Sequence, residues 1–326
     1  MPQFRRRALD PVGARLMLEK LGPVFIKIGQ FLALRPDLIP QEYCNEFLKL
    51  ADDVAHEPWP LSRQVIFEDL GQLPEEAFDW IDTTPLAAGS LAQVYRARTH
   101  DGDEVVIKVQ RSGVLAAVER DLRRLRRASH LISWSGIFGT VSIPEVLGEL
   151  ERWLKRELDL VQELRGLTRM WRLAQDSPRM YAPRPYPTLS GRRVLTAEFL
   201  DGISLSRILR AGRDGGIDDK ARLDYEPTVL STNLIHSILT QIFRYRFFHA
   251  DTHPGNLIVL PNNRIGYVDF GLTDILDEAV RSNQAEYFRA LYSGDVNRIH
   301  RALTNTLIAT ECADPDGLRA NLREAT

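Results

Sequence analysis

A polar segment in the C-terminal half of the chain restricts the possible fold most strongly. Residues 249–256 read His-Ala-Asp-Thr-His-Pro-Gly-Asn, and a long helical pattern over residues 228–247 precedes them. Two short apolar stretches follow, residues 257–260 and 265–268, and Asp269-Phe270-Gly271 comes directly after the second. Apolar runs of this length around a Pro-Asn-Asn turn predict two short strands. The segment is therefore predicted to be a polar loop that leads into a β-hairpin.

Three oxygen-bearing side chains in this region suit phosphoryl transfer. Asp251 is a carboxylate that can lie near an attacking hydroxyl, and Asn256 and Asp269 offer the hard oxygen ligands that Mg²⁺ requires. Asp-x-x-x-x-Asn, a short hairpin and Asp-Phe-Gly is the order of the catalytic and metal loops of protein kinases. The alternative is a turn rich in Asp, Asn, Pro and Gly that only caps a helix. The two parts in this order favour the kinase-like interpretation.

Residues 81–110 change from helical to strand periodicity. Strands are predicted over residues 91–98 and 104–110, and Asp101-Gly102 between them is a strong hairpin signal. In the second strand, Lys108 falls on the face opposite a Val/Ile stripe made of Val105, Ile107 and Val109. A lysine in this position can reach the α- and β-phosphates of a nucleotide. An exposed strand lysine without a function is the ordinary alternative.

Four small residues precede the first strand, where protein kinases carry a phosphate-covering loop. They are Ala87, Ala88, Gly89 and Ser90. Small side chains let backbone N–H groups approach phosphate oxygens, although an ordinary tight turn has the same composition. The predicted ATP-binding set consists of these four residues with Val94, Lys108, Glu198 and Leu200.

The remaining periodicity predicts helices over residues 8–50, a shorter helix before residue 78, and helices over residues 114–127 and 144–170. A strand is predicted over residues 193–199, and helices from residue 278 onward. The predicted fold class is α+β, a bilobal protein-kinase-like fold with a helical N-terminal extension. The predicted division is an extension over residues 1–80, an N-lobe with a helical insertion over residues 81–196, and a C-lobe over residues 197–326.

Composition excludes several other classes of protein. The net charge of −2 gives no bulk attraction to nucleic acid, so no nucleic-acid partner is expected. Cys44 and Cys312 are far apart, which argues against a disulfide framework and against zinc. No apolar run reaches the roughly 18 residues that a membrane helix needs. A cytoplasmic location or peripheral contact with a membrane is expected.

The motifs together resemble those of the UbiB family of atypical kinase-like ATPases, also called aarF-domain kinases, from about residue 15 to the end. Lys27-Ile28-Gly29-Gln30 matches the Lys-x-Gly-Gln motif of that family, and residues 87–90 resemble its alanine-rich loop. Glu157-Leu158-Asp159 matches its Glu-x-Asp motif, and Glu163 stands where the family has a lysine-pairing glutamate. Gly89 departs from the pattern, because the family has a third alanine there.

This resemblance implies that ATP and Mg²⁺ are bound, with Asp251, Lys108 and Glu163 as catalytic residues. It implies that Lys27, Gln30, Glu157 and Asp159 lie over the site where a peptide substrate would otherwise bind. It further implies a link to quinone or other isoprenoid-lipid metabolism, with an isoprenoid lipid or quinone-biosynthesis proteins as partners.

Two other functions stay open on the residues alone. His249-Ala250-Asp251 with His253 also resembles the loops of aminoglycoside and choline phosphotransferases. A non-catalytic nucleotide-binding scaffold is the third candidate, and the intact metal residues argue against it. The Lys27 motif favours the ATPase interpretation over the small-molecule phosphotransferase.

Overall fold

The computed structural model describes residues 10–36, 38–50, 55–133, 143–175, 177–214, 225–306 and 314–325. Cys312 lies outside these residues, and Cys44 is a buried free thiol. The chain forms two compact units. The first is Met1–Thr168 with Pro183–Phe199, and the second is Arg169–Ala182 with Leu200–Thr326.

The first unit begins with three helices, α1 (Pro11–Leu21), α2 (Pro23–Ala33) and α3 (Gln41–Phe47). Proline occupies the first turn of α1 and α2, where its missing N–H is not needed. Inward-facing apolar side chains hold the helices together in a small core made of Ile26, Ala33, Phe47 and Leu50. These helices confirm the predicted helical character of residues 8–50 where the structure describes them, from residue 10 onward and without residue 37.

An antiparallel sheet forms the centre of the first unit. Its strands are β1 (Trp80–Ile81), β3 (Ala92–Arg98), β4 (Glu104–Gln110) and β6 (Val194–Glu198), and β2 (Ala87–Ala88) pairs with β3. Gly102 in the β3–β4 turn has a φ of +87°, a conformation that glycine adopts at little cost. Helix α4 (Trp59–Leu70) packs Val65 and Ile66 against the sheet face formed by Val105, Ile107 and Val109. The predicted hairpin and its two faces are confirmed.

Four more helices follow in chain order, α5 (Pro74–Ala77), α6 (Val114–Ser133), α7 (Ile143–Glu157) and α8 (Leu160–Ala174). Residues 144–170, for which a helical pattern was predicted, form two helices, because the chain breaks between α7 and α8. The carboxylate of Asp159 accepts hydrogen bonds from the backbone N–H groups of Val161 and Gln162, both at 3.1 Å. An aspartate that caps a helix in this way starts a new helix at the position of the break.

The second unit carries two small sheets. In the first, β10 (Arg264–Tyr267) pairs parallel to β5 (Met180–Tyr181) and antiparallel to β9 (Leu257–Leu260), which also pairs with β7 (Ile203–Ser204). In the second, β8 (Phe247–His249) pairs with β11 (Thr273–Ile275). The predicted hairpin over residues 257–268 is confirmed, whereas the shorter strands carried no sequence signal strong enough to be predicted.

The other main elements described in the second unit are helices: α9 (Leu205–Asp214), α10 (Pro227–Leu239), α11 (Glu278–Ser293), α12 (Val296–Thr306) and α13 (Pro315–Ala325). The helix predicted to reach residue 247 instead passes into a π-helical turn, Thr240–Tyr245, and stops at Arg246 with a φ of +56°. Among the described helices, none combines the length and the apolar character that crossing a bilayer requires.

Candidate functional site

Lys108 and Glu163 form a close ion pair in the first unit. Nζ of Lys108 lies 2.8 Å from each carboxylate oxygen of Glu163, which is 4% exposed in the first turn of α8. The side chain of Lys108 is 19% exposed. The pairing expected from the Glu-x-Asp region is therefore present. Two contacts of this length to one carboxylate fix the direction of the lysine side chain.

The strand register identifies the side chains that share a face with Lys108. Val94 on β3 and Leu195 on β6 both lie directly opposite Lys108, and opposed residues in a sheet point to the same side. Ala197 is opposite Val106 on that same face. Sequence reasoning included Val94 but missed Leu195 and Ala197, since a strand prediction gives alternation without the register. Glu198 ends β6, and its carboxylate accepts a hydrogen bond from the N–H of Arg184 at 3.0 Å.

The predicted phosphate loop leads into the same sheet. Ala87 and Ala88 form β2, and the N–H of Gly89 donates to the carbonyl of Ala92 at 2.9 Å. Ser90 is 1% exposed, and its hydroxyl has no hydrogen-bond partner among the described residues. The loop is therefore hydrogen-bonded at its base and contains one buried hydroxyl without a partner among the described residues.

Lys27 of the Lys-x-Gly-Gln motif contacts the C-terminal end of α7. Nζ of Lys27 lies 3.4 Å from a carboxylate oxygen of Glu157 and 5.7 Å from the centre of the Trp153 ring. Gln30 donates from its side-chain amide to the carbonyl of Leu50 at 3.2 Å. Asp159 caps α8. Lys27 is therefore ion-paired with Glu157, and Gln30 and Asp159 each form hydrogen bonds with backbone groups of the first unit.

The glycine of the Lys27 motif has a packing explanation. A Cβ atom at Gly29 would lie 2.2 Å from Cδ1 of Leu50 and 2.8 Å from Cδ1 of Leu18. Both distances are far below van der Waals contact, so the missing side chain lets α1 and the segment after α3 approach α2. Lys27 and Gln30 are thereby carried on a closely packed helix.

In the second unit, the catalytic-loop residues and the Asp-Phe-Gly segment are neighbours. The side-chain amide of Asn256 donates to the carboxylate of Asp251 at 2.7 Å. The N–H of Val268 donates to the carbonyl of Asn256 at 3.0 Å, which extends the β9–β10 hairpin by one pair. Asp269 follows immediately and is exposed. The structure therefore brings Asp251, Asn256 and the start of the Asp-Phe-Gly segment together.

The backbone of Asp269 has an unusual conformation. Its φ is +59°, and its carboxylate accepts a hydrogen bond from the N–H of Gly271 at 3.2 Å. A non-glycine residue at positive φ costs free energy, and such residues occur often at functional sites. This conformation sets the direction of the Asp269 carboxylate.

The donor set suits Mg²⁺. Because the Asn256 amide nitrogen bonds Asp251, its Oδ1 atom faces away and can act as a ligand, together with the Asp269 carboxylate. Within the described part of the chain, no three His, Cys, Asp or Glu side chains are grouped to hold a metal ion. Mg²⁺ commonly takes one or two protein oxygens and completes its shell with water and phosphate. Asn256 and Asp269 fit that pattern.

His249, which begins the Asp251 loop, also contacts the Asp-Phe-Gly segment. It was not among the predicted site residues. It is 3% exposed, its Nε2 atom lies 3.1 Å from the carbonyl of Val268, and its ring packs on Phe270. Its backbone N–H donates to the side-chain oxygen of Gln241 at 2.9 Å. Gln241 lies in the π-helical turn, which sequence periodicity does not indicate.

Tyr267 is a buried neighbour of Gln241. Burial raises the pKa of Tyr267 to about 12, so its hydroxyl stays neutral and bonds Ser237.

A strand lysine paired with a helix glutamate, an Asp-x-x-x-x-Asn loop and a hairpin that ends in Asp-Phe-Gly define a protein-kinase-like domain. The ABC1 atypical kinase-like domain matches residues 49–303, and the chain belongs to this family. The resemblance to UbiB and aarF-domain proteins is thereby confirmed, and so is the kinase-like α+β fold class.

Two relatives illustrate the extent of the similarity. The chain is 35% identical over 292 residues to a probable protein kinase UbiB from Xylella fastidiosa, which covers 87% of this chain and 51% of that protein. It is 38% identical over 277 residues to the chloroplastic ACTIVITY OF BC1 COMPLEX KINASE 1 of Arabidopsis thaliana, covering 84% of this chain and 39% of the relative. The chain thus spans about half the length, or less, of these curated relatives.

A solved structure shows the same fold. The Mycobacterium tuberculosis protein Rv3197, solved in complex with erythromycin, superposes with a TM-score of 0.62. The match covers 91% of this chain and 73% of that one, at 24% sequence identity. At this identity the likeness concerns the fold alone.

Proposed function

We propose that this chain binds ATP with Mg²⁺ and hydrolyses or transfers the γ-phosphate, in support of quinone or isoprenoid-lipid metabolism. The observation that carries the proposal is the ion pair of Lys108 and Glu163, at 2.8 Å to both oxygens. A lysine on the central strand and a glutamate on a helix form the arrangement that protein kinases need for activity. The names of the UbiB and ABC1 relatives support the same class of reaction.

Each proposed residue has a separate task. Lys108 neutralises the α- and β-phosphates, and Glu163 holds Lys108 in position. The N–H groups of residues 87–90 cover the phosphates, and Val94, Glu198 and Leu200 complete the proposed set of ATP-binding residues. Asn256 and Asp269 hold Mg²⁺, which neutralises charge on the bridging phosphate oxygens when bound. Asp251 accepts a hydrogen bond from the attacking hydroxyl or water.

Generic peptides are not the proposed substrates. The residue before Asp251 is Ala250, where protein kinases carry an arginine that pairs with a phosphorylated activation loop. No Ala-Pro-Glu sequence follows Asp269-Phe270-Gly271, so the usual peptide platform has no counterpart in the sequence. The pairing of Lys27 with Glu157 at 3.4 Å supports a substrate side that Lys27, Gln30, Glu157 and Asp159 restrict.

A small-molecule phosphotransferase is the second candidate. In its favour, Nδ1 of His253 accepts a hydrogen bond from the N–H of Gly255 at 3.2 Å, which braces the loop between Asp251 and Asn256. A braced, exposed loop of this kind suits a small alcohol as acceptor. The same loop geometry suits water as the phosphate acceptor. Identifying the molecule that receives the phosphate therefore distinguishes the two candidates.

An assay of ADP release tests both candidates. The chain is incubated with MgATP alone, with vesicles that contain a polyprenol or a short-chain ubiquinone, and with choline or an aminoglycoside. We expect ADP release without an acceptor, stimulated by the isoprenoid vesicles, and loss of release in Asp251→Asn. The exposed Asp274→Asn variant is the matched control. Phosphorylated choline or aminoglycoside as the main product would support the second candidate, and absence of ADP release under all conditions would contradict both.

A further inference from the structure

Arg111 contacts the predicted phosphate loop from the protein side. It follows β4 directly, and its Nε atom donates to the carbonyl of Gly89 at 2.9 Å. One of its terminal nitrogens donates to the carbonyl of Ala55, also at 2.9 Å. The guanidinium therefore bridges the loop and the segment that leads into α4. Its planar fork can hold both carbonyls in one geometry, which a lysine cannot do.

The bond to Gly89 fixes the orientation of one peptide group. The carbonyl of Gly89 and the N–H of Ser90 belong to the same trans peptide and point in opposite directions. When Arg111 holds the carbonyl, the N–H of Ser90 is turned to the other side of the loop. A phosphate site needs N–H groups and repels carbonyl oxygens, so the orientation of this peptide decides whether the loop attracts an anion. The hydroxyl of Ser90 is buried and has no hydrogen-bond partner among the described residues.

A hydrogen-bond network, buried at Gln93 and Tyr95, surrounds Arg111. The N–H of Ser112 donates to the Glu57 carboxylate at 3.1 Å, and the backbone of Glu57 bonds the Gln93 side chain in both directions, at 2.7 and 3.2 Å. Gln93 is fully buried and also donates to the Tyr95 hydroxyl at 2.8 Å. Burial lowers the pKa of Arg111, and the nearby Glu57 carboxylate opposes that shift. The guanidinium is thus partly desolvated, and among the described residues its donors bond the carbonyls of Gly89 and Ala55.

We propose that Arg111 is a positioning residue that sets the affinity of the phosphate loop and its preference for ATP over ADP, by holding the Gly89 carbonyl away from the nucleotide. This inference rests on the proposed nucleotide-binding function. ATP places one more phosphate beneath the loop than ADP does, so a misoriented peptide weakens ATP binding more than ADP binding.

The test compares three variants with the wild type. Arg111→Met keeps the length of the side chain but removes its donors, and Arg111→Lys keeps the charge with a single donor position. Arg123→Met is the matched control, since Arg123 is exposed on α6 and its loss changes the net charge equally. Calorimetric titration gives the dissociation constants of MgATP and MgADP, hydrogen exchange reports on residues 87–91, and a thermal scan reports on stability.

We expect Arg111→Met to weaken MgATP binding about tenfold and MgADP binding about threefold, in line with loss of a charge-assisted hydrogen bond. Exchange over residues 87–91 should accelerate, Arg111→Lys should lie between the two proteins, and Arg123→Met should match the wild type. An unchanged ATP-to-ADP ratio in Arg111→Met, even with a lower melting temperature, would overturn this inference alone. If Arg111→Met does not fold, an unchanged ratio in Arg111→Lys has the same meaning. A wild type that binds neither nucleotide would overturn the proposed function as well.

Discussion

Nζ of Lys108 lies 2.8 Å from both carboxylate oxygens of Glu163, although 55 residues separate them in sequence. The carboxylate is almost completely buried, at 4% exposure, and the lysine ammonium is an opposite charge in direct contact with it. The pair therefore links stability to function. A change of either residue leaves a charge that the protein cannot solvate well.

We expect Lys108→Met to destabilise the fold by about 2–4 kcal/mol, because the Glu163 carboxylate loses its ammonium partner in a buried position. Adding Glu163→Gln to the same protein should recover most of that loss, since it removes the buried charge. Urea unfolding of the wild type, the two single variants and the double variant measures the effect as a double-mutant cycle. Additive losses would show that the two side chains do not interact energetically. Neither Lys108→Met nor Glu163→Gln should increase the rate of ADP release.

Asp269→Asn should remove most of the stabilisation by MgATP while leaving the free protein intact. Asparagine tolerates the positive φ of +59° at this position, so the backbone can keep its conformation. When the MgATP concentration is 100 times the dissociation constant, binding stabilises the wild type by about 2.7 kcal/mol. Thermal scans with and without MgATP measure the difference, with Asp274→Asn as the exposed control. If MgATP stabilised Asp269→Asn as much as the Asp274→Asn control, Asp269 would not belong to the metal site.

The parts of the fold that the sequence predicted correctly are those with strong local signals. Alternation gave β3 and β4, Asp101-Gly102 gave their turn, and the Pro-Asn-Asn turn gave the β9–β10 hairpin. Lys108, Asp251, Asn256 and Asp269 were proposed as site residues from the spacing of their motifs, and their roles stay predictions. Local periodicity was therefore sufficient where the chain contacts itself over short sequence distances.

Residues whose role depends on distant contacts could not be predicted in this way. Arg111 contacts Gly89 only because β3 and β4 pair in one register, and Leu195 shares a face with Lys108 only because β6 joins that sheet. The π-helical turn that places Gln241 against His249 has the same composition as an ordinary helix. Side-chain periodicity contains no information on any of these three relationships.

Asp159 should prove necessary for the start of α8. Its carboxylate bonds the N–H groups of Val161 and Gln162, and loss of such a cap costs about 1 kcal/mol. We expect Asp159→Ala to lower stability by that amount, whereas Asp159→Asn keeps an acceptor and stays close to the wild type. Chemical unfolding measures both. A change in ADP release by Asp159→Asn at normal stability would show a further role in restricting the substrate side.

Gly29 should not tolerate a side chain unless its neighbour shrinks. A Cβ atom would lie 2.2 Å from Cδ1 of Leu50, so Gly29→Ala forces α2 and the segment after α3 apart. Overpacking of this kind costs about 1–3 kcal/mol, only partly offset by the better helix propensity of alanine. Combining Gly29→Ala with Leu50→Val removes the colliding atom and should recover part of the loss. A Gly29→Ala single variant as stable as the wild type would contradict this packing explanation.

Lys27 is positioned to affect both the N-terminal helices and the proposed substrate side. Its ammonium group pairs with Glu157 at 3.4 Å and faces the Trp153 ring at 5.7 Å, and both carboxylate and lysine are mostly shielded, at 18% and 14% exposure. Trp153 in turn packs on Phe31, with 5.9 Å between ring centres. The single lysine thus contacts a charge and an aromatic ring on α7 at once.

We expect Lys27→Ala to lower the free energy of unfolding by only about 1 kcal/mol, the usual size of a partly shielded ion pair with a cation–π contact. The same change should alter the rates of ADP release and autophosphorylation severalfold, because it opens the substrate side. Lys49→Ala is the control, since Lys49 is 66% exposed and its partner Glu46 keeps a second ion pair with Arg15. Unfolding midpoints and both rates are measured without and with MgATP. Unchanged rates together with a normal midpoint would leave Lys27 as a packing residue and remove the main reason to separate this chain from small-molecule kinases.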